Sequence, residues 1–140
     1  MEDKQLVELA FQAQKLAYIP YSGFMVGAAL LAADGRVFTG CNIESVSFSP
    51  TNCAERTAFF KAVSEGCREF IKIAIVGGFA DGRPSGDGYT APCGVCRQVM
   101  AEFCHPDRFK IILAKSIDEP FREYSLRELL PVGFTPEHLA

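Results

Sequence analysis

Two short cysteine motifs, far apart in the chain, restrict what this sequence can fold into. Cys53-Ala54-Glu55 and Pro92-Cys93-Gly94-Val95-Cys96 each stand where a helix is expected to begin. The unpaired N–H groups and the positive dipole end of a helix N-terminus stabilise thiolate over thiol. If all three sulfurs act together, two helix N-termini have to meet in space. Glu55 sharpens the constraint. Positions i and i+2 do not share a face of a regular helix. Cys53 and Glu55 can therefore reach one pocket only if Cys53 is the cap, where the backbone is still extended.

Three thiolates are a ligand set for a tetrahedral Zn²⁺ with one open position, the catalytic arrangement, whereas a fourth cysteine would close it. Cys41, Cys67 and Cys104 fall in no metal-spaced pair and read as small core residues. Cys93-x-x-Cys96 alone fits three things equally: a thiol redox pair, half of a structural zinc knuckle, or part of a catalytic zinc site. The Cys53-x-Glu55 pair favours the third, because redox chemistry needs no distant thiol with a carboxylate neighbour. A carboxylate beside a metal-bound water takes its proton and hands it on, and burial near negative sulfurs raises its pKa. Arg56 is expected to hydrogen-bond a ligand sulfur and withdraw charge from it. Arg97 is a second residue for the same task.

Composition excludes several function classes. The 140 residues suit one domain, and 49% hydrophobic content supports a packed interior. The net charge is −3 with no basic run, so the footprint of a nucleic-acid polymer binder is missing. No apolar stretch approaches the roughly 20 residues needed to span a bilayer. Met1-Glu2-Asp3-Lys4 is polar and acidic and does not read as a signal peptide, so a reducing cytoplasm without disulfides is expected.

Periodicity supplies the elements. Residues 3–17 read as an amphipathic helix burying Leu6, Leu9, Ala10, Ala13, Leu16 and Ala17. Residues 24–41 read as a hairpin turning at Asp34-Gly35, with Phe24–Ala32 covered on both faces. Residues 42–52 are polar and broken by Pro50. A second helix, 53–65, faces inward through Ala54, Ala58, Ala62 and Val63. Phe70–Gly77 is a buried strand and 78–91 a loop. A third helix, 93–104, rests on Val95, Val99, Met100 and Phe103, and Phe109–Ala114 is a further strand. Ser125-Leu126-Arg127-Glu128 is a capping box for one short helix ended by Pro131. His105 and His138 are placed at the surface. Helices interleaved with a hairpin and single buried strands imply an α/β layered sandwich around a mixed sheet.

The runs Asn52-Cys53-Ala54-Glu55-Arg56-Thr57 and Pro92-Cys93-Gly94-Val95-Cys96-Arg97-Gln98, with Asn42-Ile43-Glu44, resemble the zinc-dependent cytidine deaminases. The first ligand is cysteine rather than histidine, which is similar to the small free-nucleoside enzymes. The likeness extends from the first helix to Phe134. It implies one Zn²⁺ per chain on Cys53, Cys93 and Cys96, with Glu55 as proton shuttle in the hydrolytic deamination of cytidine and 2'-deoxycytidine. It implies that Asn42 and Glu44 hold the ribose hydroxyls, that Phe24 packs on the nucleoside and that the backbone at Ala54 contacts the pyrimidine. The carbonyls of Thr90 and Ala91 are expected to accept from the leaving amine. The implied fold is a single catalytic domain, 1–140, built as a three-layer α/β/α sandwich with a five-stranded mixed sheet. The implied assembly is a homotetramer in which Phe134 closes a neighbour's pocket. Phe48 stands where many relatives carry tyrosine, so that hydroxyl's hydrogen bond is absent. The competing readings are a deaminase of another aminopyrimidine nucleoside such as blasticidin S, a non-catalytic zinc-binding module, and a thiol redox protein.

Overall fold

The chain, described over residues 1–140 by a computed structural model, runs α1 (Asp3–Gln14), β1 (Phe24–Ala32), β2 (Val37–Cys41), α2 (Ala54–Ser64), β3 (Phe70–Phe79), α3 (Gly94–Phe103), β4 (Lys110–Leu113), β5 (Arg122–Ser125) and α4 (Leu126–Leu129). A 3₁₀ turn at Pro136–Leu139 follows. The strands form one mixed sheet in the order β2-β1-β3-β4-β5. Only β3 and β4 are parallel, joined by the α3 crossover that a parallel pair requires.

Alternation along β1 and β3 sends side chains to two layers. Ala29, Leu31, Ala74 and Val76 meet Leu6, Val7 and Ala10 of α1 on one face. Ala28, Leu30, Ile73 and Ile75 meet Ala54, Ala58, Phe59, Met100 and Ala101 of α2 and α3 on the other. The sandwich is therefore three-layered, with both sulfur-bearing helices on the same face.

Several boundaries differ from the sequence reading, each for a long-range reason. Helix α1 stops at Gln14 because Tyr18 N–H donates to Asn42 O at 3.0 Å, drawing the last turn away and leaving Leu16 exposed. Val7 enters the core and Leu9 is only half-buried. In α2, Phe59 rather than Val63 reaches the core, because alanines 58 and 62 leave room for its ring among Phe70, Phe103 and Phe109. In α3, Cys96 takes the inward place expected for Val95, which is exposed. Strand β3 runs on to Phe79 because Met25 and Phe24 pair with Gly78 and Phe79. Strand β5 has polar residues at the sheet edge and no readable alternation. His105 and His138 are exposed, as expected. No helix is long and apolar enough to cross a membrane.

Two glycines let helices rest directly on strand backbone. A Cβ at Gly27 would sit 2.0 Å from Ala10 O, and one at Gly40 2.4 Å from Ala54 O and 2.7 Å from Ala58 N. Gly40 thus sets the height of the N-terminal turn of α2. Gly40→Ala is expected to destabilise the fold by about 3 kcal/mol, the upper end of ordinary overpacking, and to reduce metal content. Gly94→Ala, which meets nothing within 4 Å, serves as the control. Thermal unfolding with metal analysis checks both.

Candidate active site

Cys53 is the N-cap of α2 (φ −77°, ψ 156°) and Cys93 the N-cap of α3 (φ −68°, ψ 168°). Both are extended, and neither side chain caps the backbone N–H groups of its own helix. Their sulfurs are therefore free to face outward from two caps on one side of the sheet. Cys96 follows within the first turn of α3. The three Sγ atoms lie within 4.8 Å of one another, with Cys53–Cys93 at 3.7 Å and Cys93–Cys96 at 3.5 Å. Zn–S bonds of roughly 2.3 Å in a tetrahedron place sulfurs about 3.8 Å apart, so the set fits a zinc ion. No fourth histidine, cysteine or carboxylate joins the cluster. Cys67 and Cys104 are buried, and burial pushes the Cys104 thiol up.

The electrostatics favour a thiolate at Cys53. Hydrogen bonding from Cys96 holds its thiol down to about 5, against desolvation, and Arg56 adds to this by donating from Nη2 to Cys53 Sγ at 3.3 Å. Arg97 does not share this task. Its guanidinium donates to Pro92 O at 2.8 Å and Leu129 O at 2.5 Å instead. The helix turns it toward α4, away from the sulfurs.

Glu55 is 3% exposed, the sole buried charged side chain. Its Oε1 has no hydrogen-bond partner. Burial first, then the nearby Cys53 sulfur, push its carboxyl up to about 7, with its own backbone N–H working the other way. A buried acceptor without a partner is costly, so the arrangement is set up for a polar molecule that enters and leaves.

A family model described as the cytidine and deoxycytidylate deaminase zinc-binding region matches residues 1–112. The chain belongs to this family. It is 46% identical over 140 residues to a cytidine deaminase of Sporosarcina psychrophila, covering 100% of this chain and 96% of that protein. It is 48% identical over 139 residues to one of Halalkalibacterium halodurans, covering 99% and 98%. The crystal structure of cytidine deaminase from Burkholderia pseudomallei superposes with a TM-score of 0.84 at 45% identity, over 96% of this chain and 100% of that one. The deaminase fold is thus the five-stranded sandwich described above.

The other residues singled out in the sequence lie at the start of α2, on β1 and the segments beside it, and on the C-terminal tail. Ala54 is fully buried in the first turn of α2, where backbone N–H groups lack helical partners. Asn42 extends the β1 ladder with its side chain, donating from Nδ2 to Phe24 O at 2.8 Å and accepting from Val26 N at 2.9 Å. Phe24 is half-buried and edge-on to Phe79 at 5.0 Å. Glu44 Oε1 accepts from the N–H of Tyr21 at 3.0 Å and of Ser22 at 3.2 Å, while Oε2 accepts from the Ser22 hydroxyl. These bonds, the Ser22 hydroxyl first, hold its carboxyl below the usual range. Tyr21, Ser22, Glu44, Ser45, Phe48 and Thr51 line a cavity of about 340 Å³. Phe134 stands apart on the C-terminal tail, 57% exposed and stacked on His138.

Sequence reading missed Ser22 and Thr57. Thr57 Oγ1 donates to Cys41 O at 3.0 Å and to Cys53 O at 3.2 Å, tying the end of β2 to the cap. Ser22 has no local signature in a polar loop. Thr57, four residues after an N-cap, offered only the first-turn position of a hydroxyl.

Cys93→Ala leaves two sulfurs, one at the cap of α2 and one in the first turn of α3, and zinc per chain is expected to fall from one to near zero by atomic absorption. A second expectation concerns pH. Glu55 is raised from 4.5 to about 7 on folding, so its contribution to stability is full below about 4.5 and is lost as pH rises through about 7. In metal-stripped protein, Glu55→Gln is therefore expected to be more stable than wild type at pH 8, by about 3 kcal/mol at most. The gap closes toward pH 5, as thermal unfolding of both proteins at the two pH values would measure.

Proposed function

We propose that this chain catalyses the hydrolytic deamination of cytidine to uridine with release of ammonia, and that it also takes 2'-deoxycytidine. The observation that carries the reading is Glu55: a buried carboxyl beside three converging sulfurs, with Oε1 unpartnered and burial pushing its pKa up to about 7. Zinc held by Cys53, Cys93 and Cys96 supplies the acidity that makes water a nucleophile near neutral pH. The proton traffic belongs to Glu55. It takes one proton from the attacking water and gives it to the ring nitrogen beside the amino-bearing carbon. The water oxygen bonds to that carbon. Glu55 then passes the second water proton to the amino group. The C–N bond breaks, ammonia leaves and the carbonyl of uridine remains. A pKa near the working pH lets one group both accept and donate.

The nucleoside is held by the surrounding residues. The first-turn backbone at Ala54 meets the pyrimidine, and Phe24 packs on the nucleoside. Each Asn42 amide atom retains one further hydrogen-bonding position toward the ribose. Glu44, fixed by Ser22 and Tyr21 in its ionised form, accepts from sugar hydroxyls and repels a phosphate, so nucleosides are preferred over nucleotides. The carbonyls of Thr90 and Ala91, in the extended segment before Pro92, accept from the leaving amine. The single domain of residues 1–140 acts as a homotetramer in which Phe134 closes a neighbour's pocket. Six free cysteines fit a reducing cytoplasm, where the enzyme serves pyrimidine salvage. Phe48 offers ring surface without a hydroxyl, so no polar contact arises from that position.

Glu55→Ala tests the assignment. It is expected to retain one zinc per chain and the fold while losing at least roughly 10²–10⁴ of turnover, the range for a positioned acid–base group. The ultraviolet change on conversion of cytidine to uridine reads the rate. A variant near wild-type rate would remove Glu55 from the reaction.

A further inference from the structure

The C-terminal tail leaves α4 at Leu129 and reaches Phe134 through a strained turn. Val132 has φ +55°, a left-handed conformation in which a β-branched residue is an outlier. Its side chain is fully exposed, so packing does not hold it there. Helix α3 does. Arg97 Nη1 donates to Leu129 O at 2.5 Å before the turn, and Gln98 Nε2 donates to Phe134 O at 2.8 Å after it. Arg97 Nε also donates to Pro92 O at 2.8 Å, next to the cap Cys93. Two consecutive residues of the helix that carries Cys96 thus clasp both ends of the turn. Gly133 packs against Leu130, where a Cβ would fall 2.9 Å from the leucine side chain. The main chain of Phe134 is thereby held in register with the sulfur-bearing helix, and its ring stacks on His138 at 5.1 Å.

We propose that Gln98 is a positioning residue for substrate binding: its amide ties the Phe134 carbonyl to α3 and so fixes where the aromatic ring is presented. The proposal rests on the reading of Phe134 as a pocket-closing residue. Strain in the turn gives the tie its purpose, since a turn holding Val132 in an unfavourable conformation relaxes once either end is free. Gln98 acts on binding and not on the proton transfers of Glu55, so the effect falls on KM. An exposed hydrogen bond between neutral groups corresponds to roughly a three- to tenfold change in an equilibrium constant.

The test uses the zinc-loaded enzyme with Gln98→Ala, Gln98→Glu, Gln98→Lys and Phe134→Ala. Gln98→Glu keeps the shape but sets a carboxylate acceptor against the Phe134 carbonyl; Gln98→Lys keeps a donor. KM for cytidine is expected to rise roughly three- to tenfold in Gln98→Ala and at least as far in Gln98→Glu. Gln98→Lys recovers part of the loss. In all three, kcat, zinc per chain and assembly mass stay at wild-type values. Phe134→Ala raises KM too, and adding Gln98→Ala to it raises KM no further. Wild-type KM in Gln98→Ala and Gln98→Glu beside a raised KM in Phe134→Ala overturns the positioning role alone. Wild-type KM in Phe134→Ala removes the pocket reading and this proposal with it. Parallel loss of kcat and zinc in the Gln98 variants reduces the residue to a structural brace and also overturns it.

Discussion

The site depends on concentrating negative charge where two helices point their positive ends. Three sulfurs within 4.8 Å of one another and a carboxyl in the same pocket would repel strongly if placed at random on a protein. Here two helix caps and the Arg56 guanidinium face them, and a bound zinc ion would add its own positive charge. The balance has a chemical use. Arg56 donates to Cys53 Sγ, and on the proposed reading that bond would draw charge from the sulfur and leave a bound zinc a stronger Lewis acid. On the proposed reading, Glu55, with Oε1 unpartnered and its carboxyl pushed up to about 7, is the group that carries the protons.

That electrostatic arrangement needs mechanical support, and small residues provide it. Gly40 lets α2 descend onto β2, alanines line the helix face beneath it, and the Thr57 hydroxyl binds the cap to the strand end. Across the sheet, Gly27 does the same for α1. Helix α2 contacts strand backbone directly, so the Cys53 cap is held by a rigid element and not by a loop. Preorganisation of this kind is what a reaction limited by electrostatic stabilisation requires.

The centre of the site was legible in the sequence because its signals are local. A cysteine at a helix start, a glutamate two residues later and a second Cys-x-x-Cys at another helix start carry their geometry with them. The Asp34-Gly35 turn and the Ser125 capping box are local in the same way, and both stand in the structure. What escaped depends on distant partners. Arg97 follows a ligand cysteine as Arg56 does, yet α4 lies within its reach and takes its hydrogen bonds. Phe59 enters the core only because three other aromatic rings from remote segments leave a space for it. Strand β5 is an edge strand whose polar residues show no period. The ladder that Asn42 makes with β1 has no trace in the residues beside it.

The closeness of the sulfurs also exposes the site to a different chemistry. Without the metal, thiols 3.7 Å and 3.5 Å apart could be joined as a disulfide by an external peroxide or disulfide that accepts the two electrons and two protons. Cys53, whose thiolate forms readily, is the sulfur that would attack such an oxidant first. An occupied centre has its lone pairs engaged and is shielded from oxidants. Metal occupancy and a reducing environment therefore guard the same three atoms, and losing both together would lock the pocket shut.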